Sequence, residues 1–270
     1  MGYDAPVRIA MWSGPRNIST AMMRSFENRP DTMVVDEPFY AAYLSLTGID
    51  HPMRDAVIGA GETNWHTVVD DLLAPLPDGV PVFYQKHMTH HMIPEIGRDW
   101  MDRVTNAFLI RRPENVLGSY VRKREAVTLE DIGFLQQGDL FDRVADTLGE
   151  APPVIDARDV LEDPEGILAQ LCARSGIPFT AAMLNWPKGV RDSDGVWGAH
   201  WYETVTASTG FGAPGKDGTD LPDHLRKIAD AARPVYERLS AFTLAPAMSG
   251  PHSGPCRTRS HLYLIQVHRL

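Results

Sequence analysis

The chain of 270 residues is long enough for one α/β domain with a large core, and its 43% hydrophobic and 23% charged residues are ordinary for a folded domain. Acidic residues outnumber basic ones by 35 to 26, and the formal net charge of −9 argues against broad nucleic-acid binding, which needs a basic surface. The charge still allows an anionic small-molecule ligand, because such a ligand needs only a local cluster of donors.

The cysteines and the first residues indicate a compartment. Cys172 and Cys256 are the two cysteines of the chain and do not resemble the disulfide framework of a small secreted protein. Arg8 precedes any long apolar run, which is unlike a signal peptide. The sequence contains no run of about 18 uninterrupted apolar residues, so a transmembrane helix is not predicted. We therefore expect a cytoplasmic enzyme.

Short apolar runs alternate with helical patterns along the chain. Residues 7–12 predict a first strand, and Ile18, Met22 and Phe26, each four apart, predict a helix after it. This alternation predicts an α/β fold with three layers, in which helices cover both faces of a mostly parallel sheet. Further strands are predicted over residues 32–35, 80–85, 107–110 and 153–155, and further helices from residues 39, 113 and 164 and over 225–239.

The composition predicts one domain over residues 1–246. A Gly- and Pro-rich break at residues 249–255 predicts that residues 247–270 are a disordered or peripheral tail. Residues 189–218 are rich in Gly, Asp, Ser and Thr and predict a long functional loop. Functional residues in such a fold lie beyond the carboxyl ends of the strands.

The first turn, residues 13–20, has the features of an anion site. The first N–H groups of a helix have no internal partner and point toward the preceding loop with the positive end of the helix dipole. Arg16 adds a charge, and Ser19 and Thr20 add hydroxyl groups. The alternative is that Ser and Asn cap the helix while Arg16 is a surface charge. The turn lacks the Gly-Lys pair of a Walker motif, which weakens a nucleotide triphosphatase interpretation.

Two segments resemble the sulfotransferase family. Residues 15–20 (Pro-Arg-Asn-Ile-Ser-Thr) resemble its 5′-phosphosulfate loop, usually Pro-Lys/Arg-Ser-Gly-Thr-Thr, with Asn17 and Ile18 as departures. Residues 111–119 (Arg-Arg-Pro-Glu-Asn-Val-Leu-Gly-Ser) resemble its Arg-Asn-Pro-x-Asp-x-x-x-Ser element. Residues 34–40 and 194–202 are similar to a bacterial sulfotransferase-like branch, in which a related domain also occurs joined to aminotransferase-like domains. The resemblance covers roughly residues 7–246.

The resemblance implies a P-loop NTPase-like fold and 3′-phosphoadenosine 5′-phosphosulfate (PAPS) as co-substrate. Chemistry supports the second segment independently, because an arginine can grip a phosphate with two parallel hydrogen bonds. The alternative is a salt bridge of Arg111 at a helix start, with Ser119 merely packed or solvated. By resemblance, Arg111 and Ser119 hold the 3′-phosphate, and the cofactor-binding loop contains Arg16, Asn17, Ser19 and Thr20.

Sulfuryl transfer needs in-line positioning, charge stabilisation and a base for the acceptor. Glu37 follows the second predicted strand and is the leading base, although it also suits a helix cap. Lys86 and His87 follow the third predicted strand; Lys86 is expected to stabilise the leaving oxygen, and His87 is the alternative base. Lys188 lies in a stretch that resembles the family's basic loop, and the resemblance implies a position near the 3′-phosphate.

Other polar clusters carry weaker expectations. His90 and His91 follow no known zinc spacing, so no metal is expected. Trp197, His200 and Trp201 line an acceptor pocket or simply pack. Residues 122–124 (Arg-Lys-Arg) are expected to form a solvated basic turn or to contact an anionic acceptor or lipid surface.

The sequence thus predicts a sulfotransferase that moves a sulfuryl group from PAPS to a hydroxyl or amine acceptor. The acceptor is a small molecule or a lipid head group, and the sequence leaves the oligomeric state open. The alternatives are an ATP-dependent small-molecule kinase or hydrolase on a related fold, which would need magnesium, and a non-catalytic nucleotide-binding module.

Overall fold

A computed structural model describes residues 5–121, 127–215 and 220–245. Within these residues a five-stranded, fully parallel sheet has the strand order β2-β3-β1-β4-β5. The strands are β1 Val7–Ser13, β2 Thr32–Asp36, β3 Val82–Met88, β4 Thr105–Ile110 and β5 Val154–Asp156. The helices are α1 Ser19–Glu27, α2 Tyr40–Thr47, α3 Arg54–Ala60, α4 Trp65–Leu73, α5 Pro113–Tyr120, α6 Phe134–Leu148, α7 Ala157–Glu162, α8 Pro164–Arg174, α9 Gly198–Trp201, α10 Glu203–Thr206 and α11 Asp223–Ser240.

Helices cover both faces of the sheet. Successive residues of a strand point to opposite faces, so Ile9 and Met11 of β1 pack with α1 and α8, whereas Ala10 and Trp12 pack with α4 and α6. All four of these β1 side chains are fully buried, as expected for the central strand of a parallel sheet. The predicted three-layer α/β fold, with helices on both faces of a parallel sheet, is confirmed.

Strand β3 extends further than the sequence pattern predicts. The pattern ends at Gln85, but the ladder with β1 continues through Lys86 and His87 to the pair Ser13 and Met88. The apolar pattern did not predict this extension, because lysine and histidine interrupt an apolar run even where they are buried. Lys86 and His87 therefore lie inside the strand and point to opposite faces of the sheet.

Helix α6 is also absent from the sequence-based prediction. Gly138 interrupts its pattern, since glycine is a poor helix former. A Cβ at this position would lie 2.8 Å from the Arg238 side chain and 3.1 Å from that of Val235, both on α11. The glycine therefore permits the close packing of α6 against α11.

Residues 185–210 form a long segment that overlaps the loop predicted over residues 189–218, with α9 and α10 inside it. Asn185 and Gly210 close its base through an antiparallel bridge. Its middle is held to α1 by a buried ion pair between Arg24 and Asp194, with Nη2 and Oδ2 2.6 Å apart. This segment passes over the carboxyl ends of β2 and β3.

Several expectations concern residues that this structure does not cover. The basic stretch 122–124 and the predicted tail 247–270 lie outside the described residues. In the part that is described, no helix has the length and apolar character to cross a membrane.

Candidate active site

The loop between β1 and α1 is fixed to the neighbouring strand. The buried Asn17 donates from Nδ2 to the Leu109 carbonyl of β4 at 2.6 Å. Ile18 occupies the N-cap position of α1, and within the described chain it makes no side-chain capping bond. The first N–H groups of α1 therefore remain available to an anion.

The two segments singled out in the sequence meet at this loop. Arg16 donates from Nε to the Ser119 hydroxyl of α5 at 3.1 Å. Arg111, directly after β4, donates from Nη1 to the Arg16 carbonyl at 2.6 Å. They meet because β1 and β4 are adjacent and parallel, so both strands end at the same edge of the sheet. Two guanidinium groups and a hydroxyl thus converge near the open end of α1, an arrangement that suits a phosphate.

A second polar cluster lies at the ends of β2 and β3. Lys86 Nζ is 2.7 Å from Asp36 Oδ1, 2.5 Å from Glu37 Oε1 and 2.8 Å from the Tyr202 hydroxyl. Tyr202 in turn donates to Asp36 Oδ2 at 2.7 Å. Asp36 and Lys86 are directly paired in the sheet register, which brings their side chains to one face.

Burial and charge act in opposite directions on this cluster. Burial alone would lower the pKa of Lys86, but Asp36 and Glu37 outweigh it and the pKa is raised, so the ammonium stays charged. Burial raises the pKa of Glu37 above its usual value, against the attraction of Lys86. A carboxylate with a raised pKa is a stronger proton acceptor, so Glu37 is suited to act as a base.

The two clusters are linked through α1. Ser19 is buried at the first position of α1, and the Thr20 side chain lies within hydrogen-bonding reach of Tyr202. The Tyr202 hydroxyl also accepts from Trp197 Nε1 at 3.0 Å. Residues from four strand ends and the 185–210 segment therefore surround one site.

Strained backbone is concentrated here. Arg16 has φ 59°, Ile18 φ 47° and Glu37 φ 43°, and among the described non-glycine residues Met53 alone shares a positive φ. The left-handed conformation is unfavourable for side chains with a Cβ, most of all for a β-branched one. Strain of this kind persists where surrounding contacts enforce it, commonly at functional sites.

The structure does not bring His87 into this site. Its ring lies on the other face of the sheet, stacked on Trp12 with centroids 4.5 Å apart and flanked by Phe39 and Trp100. Burial, and then the charge of Lys86, lower the pKa of His87 to about 3. The residue alternation of a strand explains this separation, because a side chain next to Lys86 must point to the opposite face.

Lys188 is exposed and lies in the segment that follows Asn185. Arg191, three residues later, approaches Glu27 Oε2 at the C-terminal end of α1, 3.9 Å away. The position of Lys188 near the 3′-phosphate stays a prediction.

Sequence reasoning missed two members of the site, Asp36 as a partner of Lys86 and Tyr202. Asp36 could have been found, since it ends a predicted strand beside the strand of Lys86. Tyr202 is 166 positions from Asp36, and no local pattern indicates such a contact.

The cationic and N–H donors fit a nucleotide that carries phosphate groups at two ends. One end would meet Arg16, Arg111 and Ser119, and the other the open end of α1 with Lys86 nearby. In the chain as described, no group of three or more histidine, cysteine and acidic side chains is placed to hold a metal ion.

The chain is similar to known proteins over most of its length. The family described as "Sulfotransferase domain" matches residues 7–243. Two proteins of Arabidopsis thaliana, "Branched-chain-amino-acid aminotransferase-like protein 1" and "protein 2", are 38% and 35% identical over 87% and 86% of this chain. The chain spans only 42% and 41% of their lengths.

A solved structure, "Sulfotransferase from Alicyclobacillus acidocaldarius", shares the fold with a TM-score of 0.52 at 12% identity, over 88% of this chain and 95% of its own. At that identity the likeness concerns the fold. The family match, by contrast, covers nearly all the residues that the structure describes. The chain therefore belongs to the sulfotransferase domain family.

Proposed function

We propose that this domain transfers a sulfuryl group from PAPS to a hydroxyl or amine acceptor. The observation that carries the proposal is the single cluster formed by Arg16, Arg111 and Ser119, which come from two separate segments of the chain. A donor with phosphate at both ends needs such a cluster opposite an open helix N-terminus, and α1 supplies that terminus.

In this proposal Arg111, Ser119 and Arg16 bind the 3′-phosphate. The loop N–H groups, with Ser19 and Thr20, bind the 5′-phosphosulfate, while Asn17 holds the loop against β4. Arginine suits the 3′-phosphate because its planar fork can make two charge-assisted hydrogen bonds. Placement by several donors also orients the sulfur for in-line attack.

Lys86 and Glu37 carry out the transfer. Glu37 accepts the proton of the acceptor as the acceptor atom forms its bond to sulfur. The bond from sulfur to the 5′-phosphate oxygen breaks, and the electron pair remains on that oxygen, where the charge of Lys86 stabilises it. Asp36 and Tyr202 hold Lys86 in place, and burial of the cluster strengthens these interactions by excluding water.

Calorimetry with two nucleotides tests the donor site. 3′-Phosphoadenosine 5′-phosphate and AMP differ by the 3′-phosphate alone, so the ratio of their dissociation constants measures recognition of that group. We expect Arg111→Ala to reduce the preference about 10- to 100-fold, since a charge-assisted hydrogen bond contributes about 1.5–3 kcal/mol. Arg143→Ala, which removes a surface arginine paired with Asp102, is the matched control and should keep the preference.

Calorimetry and a sulfate-transfer assay together separate the alternatives. Equal affinity for the two nucleotides in the wild-type protein would refute the 3′-phosphate site. Tight binding of ATP that requires magnesium would favour a kinase or hydrolase instead. Binding of the donor without transfer of radiolabelled sulfate to any acceptor in a cell extract would identify a non-catalytic module.

A further inference from the structure

Arg24 is a buried charged residue of α1 that the proposed reaction does not use. Its side chain is 1% exposed, with Nη2 2.6 Å from Asp194 Oδ2 and Nη1 3.2 Å from Glu27 Oε2. A buried ion pair adds little to stability, because both charges give up their contacts with water. It does fix the distance and direction between its partners. Here it joins α1 to the 185–210 segment, so its main effect is on the position of that segment.

Three residues of α1 contact the 185–210 segment from one face of the helix. The contacts are Glu27 with Ser193, Arg24 with Asp194, and Thr20 with Tyr202. Because the helix positions are three and four residues apart, they lie on the same face. The segment therefore follows α1 from its C-terminal end to its N-terminal end. It brings Tyr202 to the end of the helix that carries the anion loop.

The same segment holds the carboxylate that faces Lys86. Asp36 Oδ1 contacts Lys86 Nζ at 2.7 Å. The other oxygen of Asp36, Oδ2, accepts from the Gly195 N–H at 3.2 Å and from the Tyr202 hydroxyl at 2.7 Å. Gly195 comes directly after the acidic partner of the ion pair in the chain. The position of Lys86 therefore depends on the segment that the ion pair holds.

We propose that Arg24 is a positioning residue of the reaction, which holds Asp194 and thereby keeps Tyr202 and Asp36 in contact with Lys86. The inference rests on the proposed function. Without the ion pair, residues 193–202 would separate from α1 more often and admit water to Lys86. The leaving oxygen would then meet an ammonium group that is less firmly placed and is screened by water.

Acylation of Lys86 tests the proposal without an acceptor. Sulfosuccinimidyl acetate reacts with accessible, neutral amines, and mass spectrometry gives the rate at Lys86 relative to the exposed Lys227. Separation of the segment makes the amine accessible and also lowers its pKa, which Asp36 and Glu37 raise in the folded protein, so both changes speed the reaction. We expect Arg24→Met to raise the relative rate about 10- to 100-fold, as for loss of one charge-assisted hydrogen bond.

Further variants separate positioning from general stability. Asp194→Asn should also raise the rate, and the double variant should raise it less than the product of the two single effects, because both act on one contact. Arg24→Lys keeps the charge and should recover part of the protection. Gly149→Ala, at the C-terminal end of α6, lowers the stability of the whole domain without touching the segment and should leave Lys86 protected.

Sulfate transfer and nucleotide binding complete the test. With PAPS that carries radiolabelled sulfur and a cell extract as the source of acceptors, Arg24→Met should lower the transfer rate about 10- to 100-fold, as for a small misplacement of a reacting group. The preference for 3′-phosphoadenosine 5′-phosphate over AMP should keep its wild-type value, because Arg16 and Arg111 take part in separate contacts.

The outcomes are distinct. A wild-type acylation rate at Lys86 in both Arg24→Met and Asp194→Asn would overturn the inference, as would an equal rise in Gly149→Ala. A folded Arg24→Met protein that transfers sulfate at the wild-type rate would also overturn it. Equal affinity of the wild type for the two nucleotides would instead refute the proposed function, while acylation of Lys86 would still show whether Arg24 holds the segment. Urea unfolding of each variant verifies that it is folded.

Discussion

At the scale of single residues, the neighbours Lys86 and His87 show that adjacent side chains of a strand point to opposite faces of the sheet. Lys86 is in contact with Asp36, Glu37 and Tyr202, whereas His87 is stacked among aromatic rings on the other face. In the proposed reaction the base must share the face of Lys86. Glu37 does so, and His87 does not.

Glu37→Gln tests this assignment through its pH dependence. The carboxylate must be ionised to accept a proton, so activity is present above its pKa and falls as the pH drops through it. Because burial raises that pKa above 4.5, the acid limb of the kcat/KM profile should lie above this value. Glu37→Gln should remove the limb and lower kcat about 10²- to 10⁴-fold.

The exposed Glu95→Gln, measured alongside, should keep the wild-type profile. If His87→Phe lowered kcat as much as Glu37→Gln and also removed the acid limb, the result would favour His87 as the base over Glu37.

At the scale of secondary-structure elements, the two ends of α6 offer a comparison of matched glycines. Gly133 and Gly149 flank this helix with φ 66° and 71°, a left-handed conformation that disfavours other residues. A Cβ on Gly133 would lie 2.5 Å from Thr89 Oγ1, whereas a Cβ on Gly149 would meet no described atom within 4 Å. The N-terminal glycine therefore serves both backbone conformation and packing.

We expect Gly149→Ala to lower the free energy of unfolding by about 1 kcal/mol, the cost of a left-handed alanine. Gly133→Ala should cost about 1–3 kcal/mol more, because the added methyl group overlaps a buried side chain. Urea denaturation of both variants measures the difference. Equal losses would mean that Thr89 moves aside freely.

The helices and strands also show how much of the fold could be predicted from the sequence. Apolar runs located all five strands, and Pro113 correctly placed the start of α5, since proline suits the first turn of a helix. The end of β3 and the helices α3, α4, α6 and α7 were not predicted. For β3 and α6 the reason is that Lys86 and Gly138 have tertiary roles that contradict their local preferences. Tertiary contacts also limited the prediction of the candidate site. The loop and the Arg111 segment carry local patterns, but the contact of Tyr202 with Lys86 depends on the folded chain.

At the scale of the whole molecule, a buried neutral histidine contributes to the response of the protein to acid. The pKa of His87 is about 3 in the folded protein, against about 6.5 for an unfolded histidine. Below pH 6.5 the unfolded chain therefore binds a proton that the folded protein does not. This contribution to stability is present above pH 6.5 and is lost as the pH falls toward 3.

His87→Phe should remove this contribution. Urea unfolding at pH 7, 6, 5 and 4 should show a slope shallower by about 1.4 kcal/mol per pH unit than that of the wild type. The readout is the slope and not the stability itself, because the variant also loses the contact with Gln85. His66→Phe, at an exposed position, is the comparison, and identical slopes for wild type and His87→Phe would contradict the expectation.

The strand order divides the site between two halves of the sheet. Strands β1 and β4 contribute the arginines, whereas β2 and β3 contribute Asp36, Glu37 and Lys86. Under the proposed function, the residues of the donor end and the residues around the proposed base therefore come from different halves of the sheet. Substitutions in one half would then leave the supports of the other half in place.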